Sequence, residues 1–244
     1  MRKIIFAIVF SFFSANLMAQ GDNSIIVGFG GANNKVQVSQ RSTAGQFPNL
    51  SFSPFTDEPG FDATSNFNLA YLKSTNYLNG KLSIGADFTM LFNKGLNNKE
   101  TYIFNTAGTA ESVIKDKSSL YSYTIMFLAN YELLSISAFD VSAQLGLGFI
   151  LNTLDLNFTN TVYDGNGNVS DSVHITGNGT SGSGAARIGL VGNYNMFDRL
   201  AIGAGAYYLY AGETKKSNLA GTGMDYKFRN NGTVLYNIHV IWRF

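Results

Sequence analysis

The sequence predicts an all-β chain folded as an eight-stranded antiparallel up-and-down barrel. Period-two alternation of apolar residues recurs eight times along the chain, as expected when successive side chains point to opposite faces of a strand. The connections between these stretches alternate in length, short then long. Charged residues make up 14 % of the chain, below the roughly 25 % usual in soluble domains, while Phe (20), Tyr (13) and Gly (26) are abundant.

The first segment, "MRKIIFAIVFSFFSANLMAQ", has a basic start at Arg2 and Lys3, an apolar middle from Ile4 to Phe13 and a small, polar exit to Ala19. This is the pattern of a cleaved signal peptide over 1–19, leaving 20–244 as one barrel domain. Its apolar run is well short of the roughly 20 residues of a membrane helix. No cysteine is present, so neither disulfides nor a lipid-modified cysteine contributes. Removal of Arg2 and Lys3 leaves 15 basic against 16 acidic residues. That balance lacks the footprint of a nucleic-acid partner.

Strands 1 and 2 are short patterns: "SIIVGFGGA", with Ile25, Val27 and Phe29 on one face, and "FNLAYLKS", with Phe67, Leu69 and Tyr71. Strand 3 carries Leu82, Ile84, Ala86, Phe88, Met90 and Phe92, and strand 4 Tyr121, Tyr123, Ile125, Phe127, Ala129 and Tyr131. Strand 5 carries Phe139, Val141, Ala143, Leu145, Leu147, Phe149 and Leu151, and strand 6 Ala186, Ile188, Leu190, Gly192 and Tyr194. Strand 7 offers Leu200, Ile202, Ala204, Ala206, Tyr208 and Tyr210. Strand 8, "TVLYNIHVIWRF", alternates Val234, Tyr236, Ile238, Val240, Trp242 and Phe244 with a mixed face.

Short links fall at 75–80, 133–138 and 195–199, and long ones at 33–66, 93–117, 155–182 and 211–231. Pro48, Pro54 and Pro59 all lie in the first long link, so no strand loses a ladder donor to proline. Short turns on one side and long loops on the other, with both termini on the short side, is the asymmetry of a transmembrane barrel.

A soluble barrel with the apolar face turned inward is the competing architecture. Eight strands enclose room only for packed side chains or one small ligand, and the rings of these apolar series would overfill it. The opposite face offers small or polar residues that suit a narrow interior: Ser83, Gly85, Asp87, Thr89, Ser122, Thr124, Ser142, Gln144, Gly146, Gly148, Arg187, Gly189, Gly203 and Gly205. The rings also gather near strand ends, with Phe92, Tyr121, Phe149, Tyr208 and Tyr236 toward the long loops and Tyr131, Tyr194 and Trp242 toward the short turns. Two such girdles mark a lipid-facing wall.

With these features the chain resembles the small eight-stranded outer-membrane β-barrel family of Gram-negative bacteria, which includes the OmpA transmembrane domain, OmpX and OmpW. The resemblance spans the mature chain and rests on pattern; its most specific element is the last strand ending in Phe244. It implies residence in the bacterial outer membrane, contact with membrane lipid and lipopolysaccharide, and a C-terminal signal at Phe244 read by the barrel-assembly machinery. It carries over no catalytic motif and no cofactor.

Asp87, Gln144, Arg187 and His239 share the inward face and are candidates for one buried polar network, either a plug or the constriction of a narrow pore. His174 falls in the third long link, and neither histidine stands two residues from a serine as in the His-x-Ser signature of barrel deacylases. "GNGTSG" (Gly177 to Gly182) matches a dinucleotide fingerprint in letters but lacks the strand-to-helix context. "DGNGNVSD" opens like a calcium loop with Asp164, Asn166 and Asn168, but Val169 and Ile175 replace the required Gly and Glu, so a plain turn is expected and no metal. Lys215 and Lys216 form a basic tip within reach of anionic lipopolysaccharide. The functional expectation is a structural or surface-interaction barrel working through an extracellular ligand on its long loops. A narrow porin-like channel or lateral route for small hydrophobic molecules is the second expectation, and a lipid-modifying enzyme the third.

Overall fold

The computed structural model describes residues 23–42, 61–94, 99–104, 110–117, 119–164, 166–216 and 224–244. The segment 1–19 and the three prolines lie outside them. The barrel strands are β1 (Asn23–Ser42), β2 (Phe61–Ser74), β3 (Leu82–Lys94), β6 (Ser119–Ile136), β7 (Phe139–Tyr163), β8 (Val169–Phe197), β9 (Leu200–Ala211) and β11 (Met224–Arg243). Two short strands, β4 (Lys99–Phe104) and β5 (Ala110–Asp116), form a hairpin between β3 and β6, and β10 (Thr214–Lys216) precedes β11.

Each barrel strand pairs antiparallel with its neighbours, and β1 pairs with β11 to close the ring. At the bottom of that seam the Asn23 amide donates to the Phe244 carbonyl at 3.1 Å and the Phe244 amide returns a bond to the Asn23 carbonyl at 2.9 Å. The ring leaves no open strand edge within the barrel, as a β-structure in hydrocarbon requires.

Alternation directs the predicted apolar series outward: Phe29, Ile84, Phe127, Leu147, Ile188, Ile202 and Ile238 are all exposed on the outer wall. Phe29 and Phe67, register partners on β1 and β2, meet at 5.1 Å between ring centroids, and Phe88 stacks on Tyr123 across β3 and β6 at 6.2 Å. The girdle residues Phe92, Tyr131, Phe149, Tyr194, Tyr208, Tyr236 and Trp242 are exposed on this wall and Tyr121 is half-buried. This outward apolar wall on a closed ring defines a transmembrane β-barrel.

Two expectations need correction. The third long link is not a loop: β7 and β8 continue as one hairpin, paired from Phe139↔Tyr194 up to Val162↔Asp171, with only a tight turn at its tip. Much of the first link is likewise strand, since β1 runs on to Ser42 against Met224 of β11. Along β7 the alternation continues beyond Leu151 with its apolar set on the opposite parity, Leu154, Leu156 and Phe158 between Asp155, Asn157 and Thr159, while the Thr-rich backbone goes on pairing. The interior is also less polar than expected. Leu91, Leu120, Met126, Ile150, Leu154 and Leu209 point inward and are essentially fully buried.

At the hairpin tip, the Asp164 carboxylate accepts the backbone amides of Asn166 at 2.9 Å and Asn168 at 2.8 Å, and Gly167 takes φ +82. That is an Asx-type turn, the plain reading of "DGNGNVSD". Lys215, on β10, pairs loosely with Glu213 at 3.7 Å.

Candidate functional site

The interior polar groups come from five strands whose inward positions the register brings to one level. Asp87 and Thr89 stand on β3, Asn68 on β2 opposite Thr89, Gln144 on β7, Arg187 on β8 and Tyr207 on β9. Arg187 reaches across the lumen: Nη1 lies 3.1 Å from the Asp87 carboxylate, and Nη2 donates to Gln144 Oε1 at 3.0 Å. The same Nη1 donates to Thr89 Oγ1 at 3.3 Å, and the guanidinium lies over the Tyr207 ring, 4.8 Å from its centroid. Asn68 donates to both Asp87 and Thr89. Both charged side chains are almost wholly buried, so each needs the other to offset its lost hydration. Arg187 Nε has no hydrogen-bond partner among the described residues.

His239 does not join this cluster. Its Nε2 lies 2.8 Å from Asn193 Oδ1 and its Nδ1 3.3 Å from Asn237 Oδ1. Asn193 in turn donates to Asp140 at 2.7 Å, Asn195 donates to the same carboxylate at 3.1 Å, and Arg243 stands 3.7 Å from it. The predicted four-residue network is therefore two. One is centred on the Asp87–Arg187 pair; the other descends from His239 through Asn193 to Asp140 near the short turns. His239 sits so near β9 that a Cβ on Gly203 would collide with its Nε2 and with Asn193. Tyr207 likewise occupies space left by Gly189 and Gly205. In a barrel this narrow, large inward side chains need glycines opposite them.

Sequence reading missed Asn68, Asp140, Asn193 and Tyr207. Their signal was parity: each occupies the inward position of its strand, between outward residues that were identified.

Beneath the Arg187 level lies a cavity of about 1150 Å³, opening toward the short turns and lined by Asn68, Gln144, Arg187, Tyr207, Asn193 and His239 among others. Toward the long hairpins the inward positions are filled by Leu91, Leu120, Ile150, Leu154 and Leu209, each at most 1 % exposed. Ser122 donates to Asn152 at 2.7 Å within this layer. Among the described residues the lumen is thus a vestibule open at the short-turn end and filled by side chains above a buried ion pair. Among the described residues no group of three or more His, Asp and Glu is placed to hold a metal ion.

The fold is a closed, eight-stranded antiparallel β-barrel with an apolar outer wall. Solved structures of similar shape include a major outer membrane protein of Thermus thermophilus, with 11 % identity, TM-score 0.49, and coverage of 93 % of this chain and 100 % of that one. OprG of Pseudomonas aeruginosa matches at 15 % identity and TM-score 0.42, covering 92 % and 96 %. The attachment invasion locus protein Ail of Yersinia pestis matches at 14 % and 0.39, covering 93 % and 100 %. No protein-family model matches the chain, and no curated protein matches it in sequence.

Proposed function

We propose that the mature chain, freed of residues 1–19, resides in a bacterial outer membrane as a closed barrel and works at the cell surface through its sheet extensions. Assembly through a C-terminal signal ending in Phe244 and contact with lipopolysaccharide belong to the same proposal. The observation that carries it is the β7–β8 hairpin. β8 alone has 29 residues, whereas a spanning strand needs about 9–11. The outward face of this hairpin is apolar as far as Leu151, opposite Gly182, and above them turns polar at Thr153 and Thr180, whose hydroxyls lie 3.0 Å apart. From there Asp155, Asn157 and Thr159 face Asn178, Thr176 and His174 across the ladder. β5 pairs with the far part of β7 at Ser112–Asp116, and β4 with β5, which widens this hairpin into a four-stranded sheet. β10, β11 and β1 form a second extension.

A narrow channel is the second reading, favoured by the vestibule, which carries an aqueous route as far as Arg187. Conduction would require both the Asp87–Arg187 pair and the leucine layer to move.

Because the chain has no cysteine, a single Asn166→Cys substitution places one thiol at the hairpin tip. Membrane-impermeant maleimide is expected to label it on intact cells. A Ser137→Cys variant, in the β6–β7 turn, is expected to stay unlabelled until the cells are opened. The reverse pattern would overturn the proposal.

A further inference from the structure

The vestibule has two unlike walls. Around the ring β1 stands four strands from β7, so β11, β1 and β2 face β6, β7 and β8 across the lumen. On the first side the inward positions are aliphatic: Ile26 pairs with Ile241 on β11 and with Ala70 on β2, and Leu72 lies opposite Ser24. On the second they are amides, hydroxyls and carboxylates: Asn130 pairs with Gln144, Glu132 with Ser142, and Asp140 with Asn193. Both walls line the same cavity of about 1150 Å³.

Charge in this cavity is balanced from within. Arg187 is neutralised by Asp87 at 3.1 Å, and Asp140 is held by Asn193, Asn195 and Arg243. Lys73, Lys81 and Arg199 share the mouth with Glu132 and Asp198, so neither sign alone draws an ion in. A charged ligand would give up hydration at the deep end and meet no unpaired opposite charge there. Hydrogen-bonding capacity, by contrast, is left over. Gln144 gives its carbonyl to Arg187, while its amide nitrogen and the half-buried Asn130 side chain beside it make no hydrogen bond among the described residues. Side-chain amides both donate and accept, and a hydroxyl does both in return. The aliphatic wall opposite suits a ligand with a C–H face. A pyranose ring offers both surfaces, a rim of hydroxyls and a face of C–H groups. Pockets of about 300–1,000 Å³ commonly hold small molecules, so one or two such rings fit this volume.

We infer that the vestibule is a binding site for an uncharged saccharide of one or two rings, entering from the short-turn end. This goes beyond the surface role of the extensions and does not depend on it. The test is an NMR titration of the full mature chain, isotope-labelled and refolded in detergent micelles, with folding confirmed by a heat-shifted gel band. The probes are maltose, cellobiose and diacetylchitobiose, with glucuronate as the charged counterpart. At least one disaccharide is expected to move the Gln144 and Asn130 side-chain amide resonances saturably, leaving Thr176 and Asn178 on the hairpin unmoved. Preference for diacetylchitobiose would make cell-wall glycan the source, and preference for either of the others a free sugar. Asn130→Ala, read at Gln144, is expected to weaken binding about tenfold, the effect of one lost hydrogen bond. Ser142→Phe, which fills the cavity from the same wall, is expected to abolish it. No movement with any disaccharide at millimolar concentration, or tighter binding of glucuronate than of all three, would overturn the inference. Movement confined to the hairpin would also overturn it and shift the saccharide to the surface extensions.

Discussion

Below the level of Arg187 the barrel interior is hollow and lined largely by amides, hydroxyls and charges, whereas above it the same strands fill the lumen, with Leu91, Leu120, Ile150, Leu154 and Leu209 packed beside buried polar side chains such as Asn66, Ser122, Asn152 and Thr233. The outer wall does the opposite, being apolar across the membrane and polar on the hairpin above. The contrast shows which neighbour each surface meets. Where the interior is open from the short-turn end, polar side chains cost little; where it is filled, polar side chains are kept by pairing, as Ser122 donates to Asn152, and apolar ones take the remaining space. The Asp87–Arg187 pair sits at the boundary, where Asn68 and Thr89 donate to the Asp87 carboxylate and Arg187 donates to Thr89 and Gln144.

The largest expected effect comes from breaking that boundary. Arg187→Met leaves Asp87 buried without its cation, which is expected to cost about 3–5 kcal/mol of barrel stability. The double variant Asp87→Leu/Arg187→Met should recover most of the loss. Urea unfolding in lipid vesicles, followed by Trp242 fluorescence, measures both. Next comes the outer wall. A lysine at Ile238, 73 % exposed to the surroundings at mid-wall, is expected to cost about 2–4 kcal/mol, because a cation there faces hydrocarbon. The same change at Thr180, above the switch in polarity, should fall within about 0.5 kcal/mol of the parent. Equal effects at the two positions would erase the membrane boundary drawn here.

The smallest effect is local, at the hairpin tip. Backbone amides of Asn168 and Asn166 hold the Asp164 carboxyl below its usual value. A carboxylate whose folded value is depressed supports the turn fully above the ordinary carboxylate range and loses that support as pH falls through the depressed value. NMR titration should therefore show Asp164 protonating below the ordinary carboxylate range, with the Asn168 amide resonance following it. Titration of Asp164 at an ordinary carboxylate value would remove this account of the turn.

Strand number, outward faces and the short turns were legible in the sequence, because a strand between lipid and a narrow lumen must alternate at every step. The series Leu82 to Phe92 and Val234 to Trp242 needed nothing more. The hairpin beyond Leu151 was not legible, since the outward series ends there in Thr153, Asp155, Asn157 and Thr159 and the apolar period passes to the opposite parity at Leu154, Leu156 and Phe158. Nor was the interior layer. Leu91, Ile150 and Leu209 read in sequence as exceptions to a polar face, and only the closed ring shows that they pack on one another's level. His239 was grouped with Asp87 by parity alone; parity assigns a face but not a height, and the register places it beside Asn193 instead.

The measurement that bears most directly on a sealed interior is single-channel conductance of the refolded mature chain in a planar bilayer, with folding confirmed by the heat-shifted band. A folded barrel with no openings above the bare-membrane baseline is the predicted result. Reproducible small openings whose size changes on Arg187→Met or Asp87→Asn would contradict it, and would make the ion pair a gate rather than a plug.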